Sequence, residues 1–489
     1  MPKRLNQSDQ ALALLYHARS SKPFFSQGGQ PCARIPSGVD SGRTFALRSA
    51  DFRDWVTANF YSEFETAPSS LALRAALRTL EARAQYDGSP AQKVEHRVSF
   101  EGDPFAPSKI LLDLANTAGE ILEITSQGWT LTDNLRHSFR HSPGTLPLPV
   151  PTSHQPPTTS HAPLAELSVL FHLTPPACTR LLFWLASSLR PTGPYPILVL
   201  RGPASSGKST LARALRNLID PSSAPLRLLP ARDRELLQLA PHNWILVFDN
   251  VHRVPIKISE ALCALSSGAA LETAQPDYRD KTLAEIARPI ILIAPLDEAQ
   301  SPWIPTRSLA TRSLAIDLAP LAAPRPEAAV RSDFEALRAP ALAALADAVS
   351  SALRHLRDID LSHIARFPDS VAWSAAAAPV LGLDHSAILE AVADPESMWL
   401  GVDPLRDTLY TLLRSRPHQS WSGEAAALLT QLRALAPLAT LPSTPKGLSQ
   451  ALARIPGITA SSTQGTHGRR TLSVSKNIGK MRHQTQKHP

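Results

Sequence analysis

The segment 196–215 places a glycine-rich turn between a short apolar run and a helical pattern. The turn reads Gly202-Pro-Ala-Ser-Ser-Gly207-Lys208-Ser209, which is the spacing of a phosphate-binding P-loop. Glycines at both ends let successive backbone N–H groups point inward at phosphate oxygens, and the following helix adds the positive end of its dipole. The pattern predicts a triphosphate site. The alternative is a Gly/Ser turn that carries an unrelated lysine.

Two side chains of this motif have separate tasks. Lys208 is expected to reach the β- and γ-phosphates as a point charge, and the Ser209 hydroxyl is expected to be a Mg2+ ligand. ATP and Mg2+ are therefore the expected cofactors. The predicted cofactor-binding residues are Gly202, Pro203, Ala204, Ser205, Ser206, Gly207, Lys208, Ser209 and Thr210.

A second apolar run, 244–248, ends in Asp249 and Asn250, about 40 residues after Lys208. An aspartate at the carboxyl end of a parallel strand can hold the metal opposite Ser209. We therefore assign Asp249 as a metal residue and count Lys208, Asp249 and Asn250 among the catalytic candidates. In the alternative interpretation, Asp249 only caps the turn that follows the strand.

Two more apolar runs, 289–294 and 314–318, alternate with helical patterns. Strand–helix alternation with phosphate chemistry at strand ends predicts an α/β P-loop NTPase core, a parallel sheet flanked by helices. Arg312 precedes the last run and is far in sequence from the P-loop. It is a candidate arginine finger for the γ-phosphate of a neighbouring subunit. A solvated surface arginine is the alternative.

Composition bounds the remaining possibilities. The chain has 489 residues, of which 43% are hydrophobic and 19% charged, as in globular proteins of several domains. Its apolar runs are too short to cross a bilayer, and three isolated cysteines form neither a disulfide framework nor a metal cluster. We therefore expect a cytoplasmic protein with no membrane partner.

Pattern changes along the chain predict a small N-terminal α+β domain, a P-loop core, a C-terminal helical lid and a winged-helix domain. Helices are expected at 51–64 and 69–84, and strands at 94–100, 110–114, 121–125 and 128–131. The predicted divisions are a disordered leader (1–45), the small α+β domain (46–140), a Pro-rich linker (141–163), the ATPase core (164–320), a helical domain (321–415), a basic winged-helix-like domain (416–476) and a basic tail (477–489).

The net charge of +8 is unevenly distributed. The last 65 residues hold nine lysines and arginines and no acidic residue, so the first 424 residues sum to −1. Such asymmetry indicates a nucleic-acid-facing end. Two helical patterns and a strand–turn–strand follow the order of a winged helix, with 421–429 read as the start of the first helix. The expected DNA contacts are Lys446, Arg454, Arg469, Arg470 and Lys476. A solvated basic tail is the alternative.

The chain resembles the P-loop ATPases of prophages and integrated elements, often found with primases, which are similar to superfamily 3 helicases and AAA+ ATPases. The resemblance is strongest over 164–320, and it rests on the segments 190–202, 207–213, 218–221, 224–227, 243–244, 249–250 and 259–265. It implies an ATPase that acts on DNA in replication, with a homo-oligomeric ring and a primase or other replication proteins as partners.

The chain departs from this family at residues that tune hydrolysis. Helicase relatives usually carry a glutamate where Asn250 stands, and an asparagine at the end of the next strand, where this chain has Ile293-Ala294. The resemblance as a whole implies a helicase- or translocase-like ATPase, and these departures put its rate of hydrolysis in question. The alternatives are a hydrolytically weak, nucleotide-dependent DNA-binding or assembly module and a small-molecule P-loop kinase.

Overall fold

The chain divides into two compact units, Met1–Trp399 and Leu400–Pro489. The computed structural model describes residues 5–26, 30–35, 43–87, 91–132, 138–142, 144–152, 162–273, 282–295, 306–321, 323–360, 366–393, 404–414, 416, 420–435, 441–442, 444–452, 455, 458–464 and 470–476.

The first unit begins with a small α/β layer. Its elements are α1 (Gln7–His17), the antiparallel strands β1 (Lys22–Phe25), β2 (Pro31–Arg34) and β3 (Thr44–Ala46), α2 (Ala50–Phe64) and α3 (Ser70–Tyr86). Ser49 and Ser69 cap the two longer helices by accepting from backbone N–H groups, as the polar residues before each apolar pattern predict.

The prediction of a disordered leader over 1–45 is wrong for its described residues. Helix α1, strands β1 and β2 and the first two residues of β3 lie within that range. Leu14 and Ala33 are fully buried and share one core with Phe52 and Leu77 of α2 and α3. The apolar residues of this segment are few, and the burial that orders them comes from helices farther along the chain.

A four-stranded antiparallel sheet follows, with neighbouring strands consecutive in sequence. It consists of β5 (Val98–Asp103), β6 (Ala106–Asp113), β7 (Ile121–Thr125) and β8 (Gly128–Thr132), beside a parallel pair β4 (Val94–Glu95) and β9 (Ser138–Phe139). The strands expected from alternation are confirmed, except that the run 94–100 is divided. Arg97 has φ +66° and turns the chain between β4 and β5.

The central sheet is five-stranded and wholly parallel, in the order β11-β12-β15-β10-β16. Its strands and helices, in chain order, are α4 (Ala162–Leu170), α5 (Pro175–Ser188), β10 (Ile197–Gly202), α6 (Lys208–Ile219), β11 (Arg227–Leu228), α7 (Asp233–Leu239), β12 (Leu246–Asp249), α8 (Ile256–Ser267), β15 (Ile290–Pro295), α9 (Arg307–Thr311) and β16 (Ser313–Asp317). The mixed α/β fold with a parallel sheet is thus observed.

Both faces of this sheet are covered. Leu198 and Leu200 pack into one hydrophobic core and Ile197 and Val199 into another, because successive strand residues point to opposite faces. This explains why the central strands are continuous apolar runs. A separate antiparallel hairpin, β13 (Ala269–Thr273) and β14 (Thr282–Ile286), precedes β15.

Among the described residues, three α-helices complete the first unit: α10 (Glu327–His355), α11 (Pro368–Leu381) and α12 (His385–Val392). Helix α10 packs against α4, α11 and strands β7 and β8. The stretch Glu327–Asp358 is long and apolar enough to cross a membrane, but 61% of its most apolar window is buried inside the unit. A helix with this much of its apolar surface buried in the protein is a core helix.

The second unit contains α13 (Pro404–Arg414), β17 (Ser420–Gly423), α14 (Ala425–Leu435), α15 (Pro445–Leu452), β18 (Ile458–Gln464) and β19 (Arg470–Lys476). Its three strands form an antiparallel sheet in the order β17-β19-β18. The residues around Trp421, expected to begin a helix, form β17 instead. Trp421 is buried in the core of this unit, and α14 begins only at Ala425.

The expected boundary at 415/416 differs from the observed one at 399/400. Leu405, Leu409 and Leu412 of α13 lie in the same hydrophobic core as Trp421 and Val474. Helix α13 therefore belongs to the second unit and not to the helical segment before it.

Candidate nucleotide-binding site

The P-loop lies between β10 and α6, at the carboxyl edge of the parallel sheet. A Cβ atom on Gly202 would lie 2.5 Å from the Leu318 carbonyl oxygen and 2.6 Å from Ser206 Oγ, so only glycine fits there. Gly207, which directly precedes α6, has φ +83°, a left-handed conformation that glycine adopts without strain. Ala204 and Ser205 are exposed at the tip. The turn is open to a ligand at the helix N-terminus.

Lys208 lies over this turn. Its Nζ donates to the Pro203 carbonyl oxygen at 2.5 Å and to Ser206 Oγ at 3.2 Å. Partial burial lowers the pKa of the Lys208 ammonium, and the nearby Asp249 opposes that shift. A phosphate group has the negative charge and oxygen acceptors that would replace these loop contacts.

Ser209 and Asp249 meet across the sheet edge although 40 residues separate them. Ser209 Oγ donates to Asp249 Oδ2 at 3.0 Å, and the other carboxylate oxygen accepts from the Asn250 backbone N–H at 2.8 Å. Asp249 ends β12, which is separated from β10 by β15 alone. A hydroxyl and a carboxylate side by side are the hard oxygen ligands that Mg2+ prefers, so these residues fit the metal.

Asn250 has no acidic side chain to orient a water molecule. Its φ is +58°, and its side-chain oxygen lies 2.8 Å from His252 Nε2. At the end of β15, Ala294 is in register with Arg201 of β10, so an alanine stands at the neighbouring strand end. The geometry supports nucleotide binding more fully than it supports water activation.

Arg312 lies at the opposite edge of the sheet from the P-loop of its own chain. Its carbonyl oxygen accepts from Ile197 N–H, at the start of β10, whereas Gly202 ends that strand. Five strand steps separate the two positions, roughly 16 Å. The exposed Arg312 side chain donates to the Ser308 carbonyl oxygen at 3.3 Å. A role for Arg312 at the phosphates therefore requires a second subunit.

An apolar cavity of about 100 Å3 adjoins the P-loop and was not foreseen from the sequence. Gly207 and Thr210 line one side, while Phe171, Leu321 and Val330 line the other. Arg213 of α6 and Glu327 of α10, whose side chains are 3.1 Å apart, pair beside it. Phe171, Leu321 and Val330 come from separate segments with no motif of their own, so only the tertiary structure brings them to the P-loop.

The predicted DNA residues lie in the second unit. Lys446 is exposed in the first turn of α15, and Arg470 and Lys476 are the first and last residues of β19. Arg454 and Arg469 lie outside the described residues. Within the described part of the chain, no group of three or more His, Cys, Asp or Glu side chains is arranged to hold a metal.

Comparisons with solved structures give low similarity over most of the chain. The A-form apo structure of the NrS-1 C-terminal region has TM-score 0.39 and 10% identity, covering 96% of this chain and 100% of that one. The structure named SCCmec type IV Cch, active helicase, has TM-score 0.43 and 14% identity, covering 93% of both chains. JCV helicase, in a ligand-bound structure, has TM-score 0.28 and 18% identity, covering 52% of this chain and 64% of that one. We infer nothing further from overlaps of this size.

No curated protein sequence matches the chain. A family model does match, over residues 169–386, and its description is actinomycete integrative conjugative element replication protein. That segment runs from the end of α4 through the P-loop core to the start of α12. The resemblance to a replication family of integrated elements is thereby confirmed, and residues 169–386 are similar to the actinomycete integrative conjugative element replication protein.

Proposed function

We propose that this chain is an ATP-binding motor of mobile-element replication, which couples ATP–Mg2+ binding and hydrolysis to movement on DNA. The observation that carries the proposal is the 3.0 Å contact between Ser209 and Asp249 beside the glycine-bounded loop. Two distant segments thus place a hydroxyl, a carboxylate and an ammonium around one helix N-terminus. The family match over 169–386 supports the replication context.

In this proposal the triphosphate replaces the internal contacts of the loop. Backbone N–H groups of 204–209 donate to phosphate oxygens, and Lys208 moves from the Pro203 carbonyl to the β- and γ-phosphates. Ser209 and Asp249 hold Mg2+, which neutralises charge on the phosphates when it is bound. The apolar cavity beside Gly207 and Thr210 would take the base of the nucleotide, since base sites are mostly apolar with a few polar groups.

Arg312 would act in trans. Arg312 lies at the amino edge of the sheet, too far from the nucleotide bound by its own chain. The proposal therefore places it at the γ-phosphate bound by a neighbouring copy. Such a finger contributes by stabilising the charge of the transferred phosphoryl group. This requires a homo-oligomer, and a ring lets each subunit contribute one arginine and one P-loop.

The second unit would contact DNA as a winged helix. Its order of helix, strand, two helices and two strands supports this proposal. A winged helix places the second helix of its helix-turn-helix pair, here α15, in a groove, and it places basic hairpin residues at phosphates. Lys446 is the second residue of α15, and Arg470 begins β19. These positions would be the contacts with the DNA backbone.

The second candidate function is a nucleotide-dependent assembly module with little turnover. Asn250 and Ala294, which occupy the positions where water-orienting residues would stand, favour it. In this case ATP binding would stabilise the protein and promote its oligomerisation, with no DNA-stimulated phosphate release.

Phosphate release measured with and without single- and double-stranded DNA separates the two candidates. The motor proposal predicts DNA-stimulated release that is lost in Lys208→Ala and retained in Lys257→Ala, which changes an exposed lysine of α8. Absence of stimulation by either DNA, together with ATP-induced oligomerisation, would instead establish the assembly module. DNA-stimulated release that is equal in the parent and Lys208→Ala would overturn the motor proposal, and ATP-induced oligomerisation that is equal in the two would overturn the assembly module.

A further inference from the structure

A second cavity, of about 320 Å3, lies at the opposite end of α6 from the P-loop. We call it the α6-end cavity, and its polar lining includes His96, Ser142, Arg216, Asp220, Arg227 and His242. Helix α6 has 12 residues and is therefore roughly 18 Å long. The cavity is consequently separate from the proposed nucleotide site.

The walls of the α6-end cavity are fixed by hydrogen bonds between distant segments. Leu146 N–H donates to the Pro221 carbonyl oxygen at 3.0 Å, and Ser142 Oγ donates to the His242 carbonyl oxygen at 2.7 Å. Thr145 and Ser222 form an isolated antiparallel bridge. Ser142, Gly144 and Thr145, which sequence patterns assign to a linker, thus line one wall of a built cavity.

Asp220, the carboxylate in this lining, already accepts hydrogen bonds from the protein. Asp220 Oδ1 accepts from Arg97 Nε at 3.2 Å, and Oδ2 accepts from the backbone N–H groups of Trp244 and Ile245 at 2.9 and 3.1 Å. Arg97 lies behind the cavity and is 1% exposed. Asp220 therefore neutralises a buried arginine, and the two lining arginines, Arg216 and Arg227, leave the cavity with excess positive charge.

Arg216 and Arg227 hold positive charge at the wall. Arg216 is 1% exposed, and its guanidinium donates to Asn243 Oδ1 at 2.7 Å, which fixes its position. Burial lowers the pKa of Arg216 to about 10; Asp220 opposes that shift, while Arg227 and Arg97 add to it. Arg227 Nε is itself buried, and no acceptor among the described residues lies within hydrogen-bonding distance of it.

The positive charge at the cavity wall also affects the imidazole of His242. Burial lowers the pKa of the His242 imidazole, and the positive charges of Arg140, His96 and Arg227 lower it further. Cations that disfavour one another in a partly closed space are stabilised by a shared anion.

We propose that the α6-end cavity binds a phosphate group. The guanidinium plane matches the tetrahedral oxygens of phosphate and donates two parallel hydrogen bonds, and Arg227 Nε is a donor in need of an acceptor. At roughly 30 Å3 per water, the volume equals about ten water molecules, which is room for a phosphate and an attached sugar. The phosphate can come from a nucleic-acid backbone or from a small phosphorylated molecule.

The test measures binding to the full chain by equilibrium dialysis, with ADP and Mg2+ saturating the P-loop and chloride keeping the ionic strength constant. One arm uses inorganic phosphate and the other a 5′-hydroxyl oligothymidylate, which carries only phosphodiesters. We expect Arg227→Gln to weaken binding at least tenfold and Arg227→Lys to restore part of it. Arg234→Gln, on the exposed side of α7, is the matched control and should change nothing.

The outcomes are distinct from those of the nucleotide experiment, because ADP and Mg2+ fill the P-loop in every arm and because Arg227 lies on β11, which β12 and β15 separate from β10. Arg227-dependent binding of the oligothymidylate assigns the phosphate to a nucleic-acid strand, and Arg227-dependent binding of inorganic phosphate alone assigns it to a small molecule. Binding of neither probe, or equal binding by Arg227→Gln and Arg234→Gln, overturns the proposal. If Arg227→Gln does not fold, thermal unfolding of the parent decides, because phosphate must then raise its Tm above that in chloride at equal ionic strength.

Discussion

At the scale of single residues, the P-loop depends on a close approach between two strand ends. Gly202 pairs with Pro295 of β15 at the end of β10, and its Cα faces the Leu318 carbonyl just after β16. A side chain at this position would separate the strand ends that support the loop. The packing of the sheet and the shape of the phosphate site therefore share one residue.

Replacing Gly202 with alanine should lower both stability and nucleotide affinity. The new Cβ would lie 2.5 Å from a backbone oxygen, and overpacking of this kind typically costs about 1–3 kcal/mol. Urea denaturation measures the first effect and ATP titration the second. Lys257→Ala, which changes an exposed lysine of α8, is the control; a Gly202→Ala variant as stable as this control would contradict the packing argument.

Asp220 predicts how stability depends on pH. Burial alone would raise the pKa of Asp220, but the hydrogen bond and charge of His96, with Arg97 and Arg216, hold it well below its usual value. A carboxyl group with a lowered folded-state pKa stabilises the fold above its unfolded pKa, about 4, and that contribution is lost as pH falls toward the folded value.

Unfolding free energy should therefore fall between about pH 5 and pH 3, and Asp220→Asn should flatten that fall. At neutral pH the same variant should lose about 3–5 kcal/mol, because it leaves Arg97 buried without its partner. Asp333→Asn, which removes a half-exposed partner of Arg325, should change stability by less than about 1 kcal/mol. An equal loss in the two variants would refute the buried-pair account.

Residue-level prediction succeeds where the signal is local and fails where it is not. Ser209 was paired with Asp249 from the sequence because each belongs to a short motif at a strand end. Arg97 carries no such signal, since it lies 123 residues before Asp220, whereas Arg216 and Asp220 are only four residues apart. Only the packed structure reveals that the three form one buried cluster.

At the scale of elements, α10 joins the antiparallel sheet to the helices of the core. Trp129 Nε1 of β8 donates to Asp347 Oδ1 of α10 at 2.9 Å, and Ser350 Oγ donates to the Thr125 carbonyl oxygen at 2.7 Å. Burial raises the pKa of Asp347, and the hydrogen bond from Trp129 opposes that shift. The contact therefore stabilises the ionised carboxylate.

Trp129→Phe should destabilise the first unit by about 1–3 kcal/mol at pH 7, because it leaves a half-buried carboxylate without its donor. The loss should shrink as pH falls and Asp347 becomes protonated. Urea unfolding at several pH values measures this, and Asp347→Leu supplies the background for a double-mutant cycle. If the Trp129→Phe loss were as large in that background, the hydrogen bond would not be its cause.

Elements were predictable where periodicity is strong. The two helices before the antiparallel sheet and its four strands follow from hydrophobic spacing, with ends displaced by a few residues. The N-terminal strands β1–β3 were missed because they are three or four residues long and rely on α2 and α3 for burial. The sequence predicts a helix start where β17 lies, because only Glu424 separates this strand from the alanine-rich helix α14.

At the scale of the whole molecule, the net positive charge belongs to the second unit. All nine basic residues after Glu424 fall within Leu400–Pro489. That unit has its own core, formed by residues between Leu405 and Val474, so a truncation after residue 399 removes it whole. A cut at 421 would leave α13 without the core it packs in.

Salt dependence of DNA binding measures the contribution of this unit. If about four of its cations neutralise phosphates of single-stranded DNA, log K should fall with log salt at a slope of roughly −3. Truncation after residue 399 should remove most of that slope, and Lys446→Gln should reduce it by about 0.7. Fluorescence anisotropy at several salt concentrations measures both. An unchanged slope after truncation would place the DNA contacts in the first unit.

The central claim is that one triphosphate and one Mg2+ occupy the loop between β10 and α6. Calorimetric titration of ATP, with and without Mg2+, into the parent, Lys208→Ala, Asp249→Asn and the control Lys257→Ala tests it directly. We predict that Lys208→Ala weakens binding at least tenfold, about 1.4 kcal/mol, and that Mg2+ tightens binding by the parent and Lys257→Ala but not by Asp249→Asn. Equal ATP affinity in the parent and Lys208→Ala, or the same Mg2+ effect with and without the Asp249 carboxylate, would contradict it.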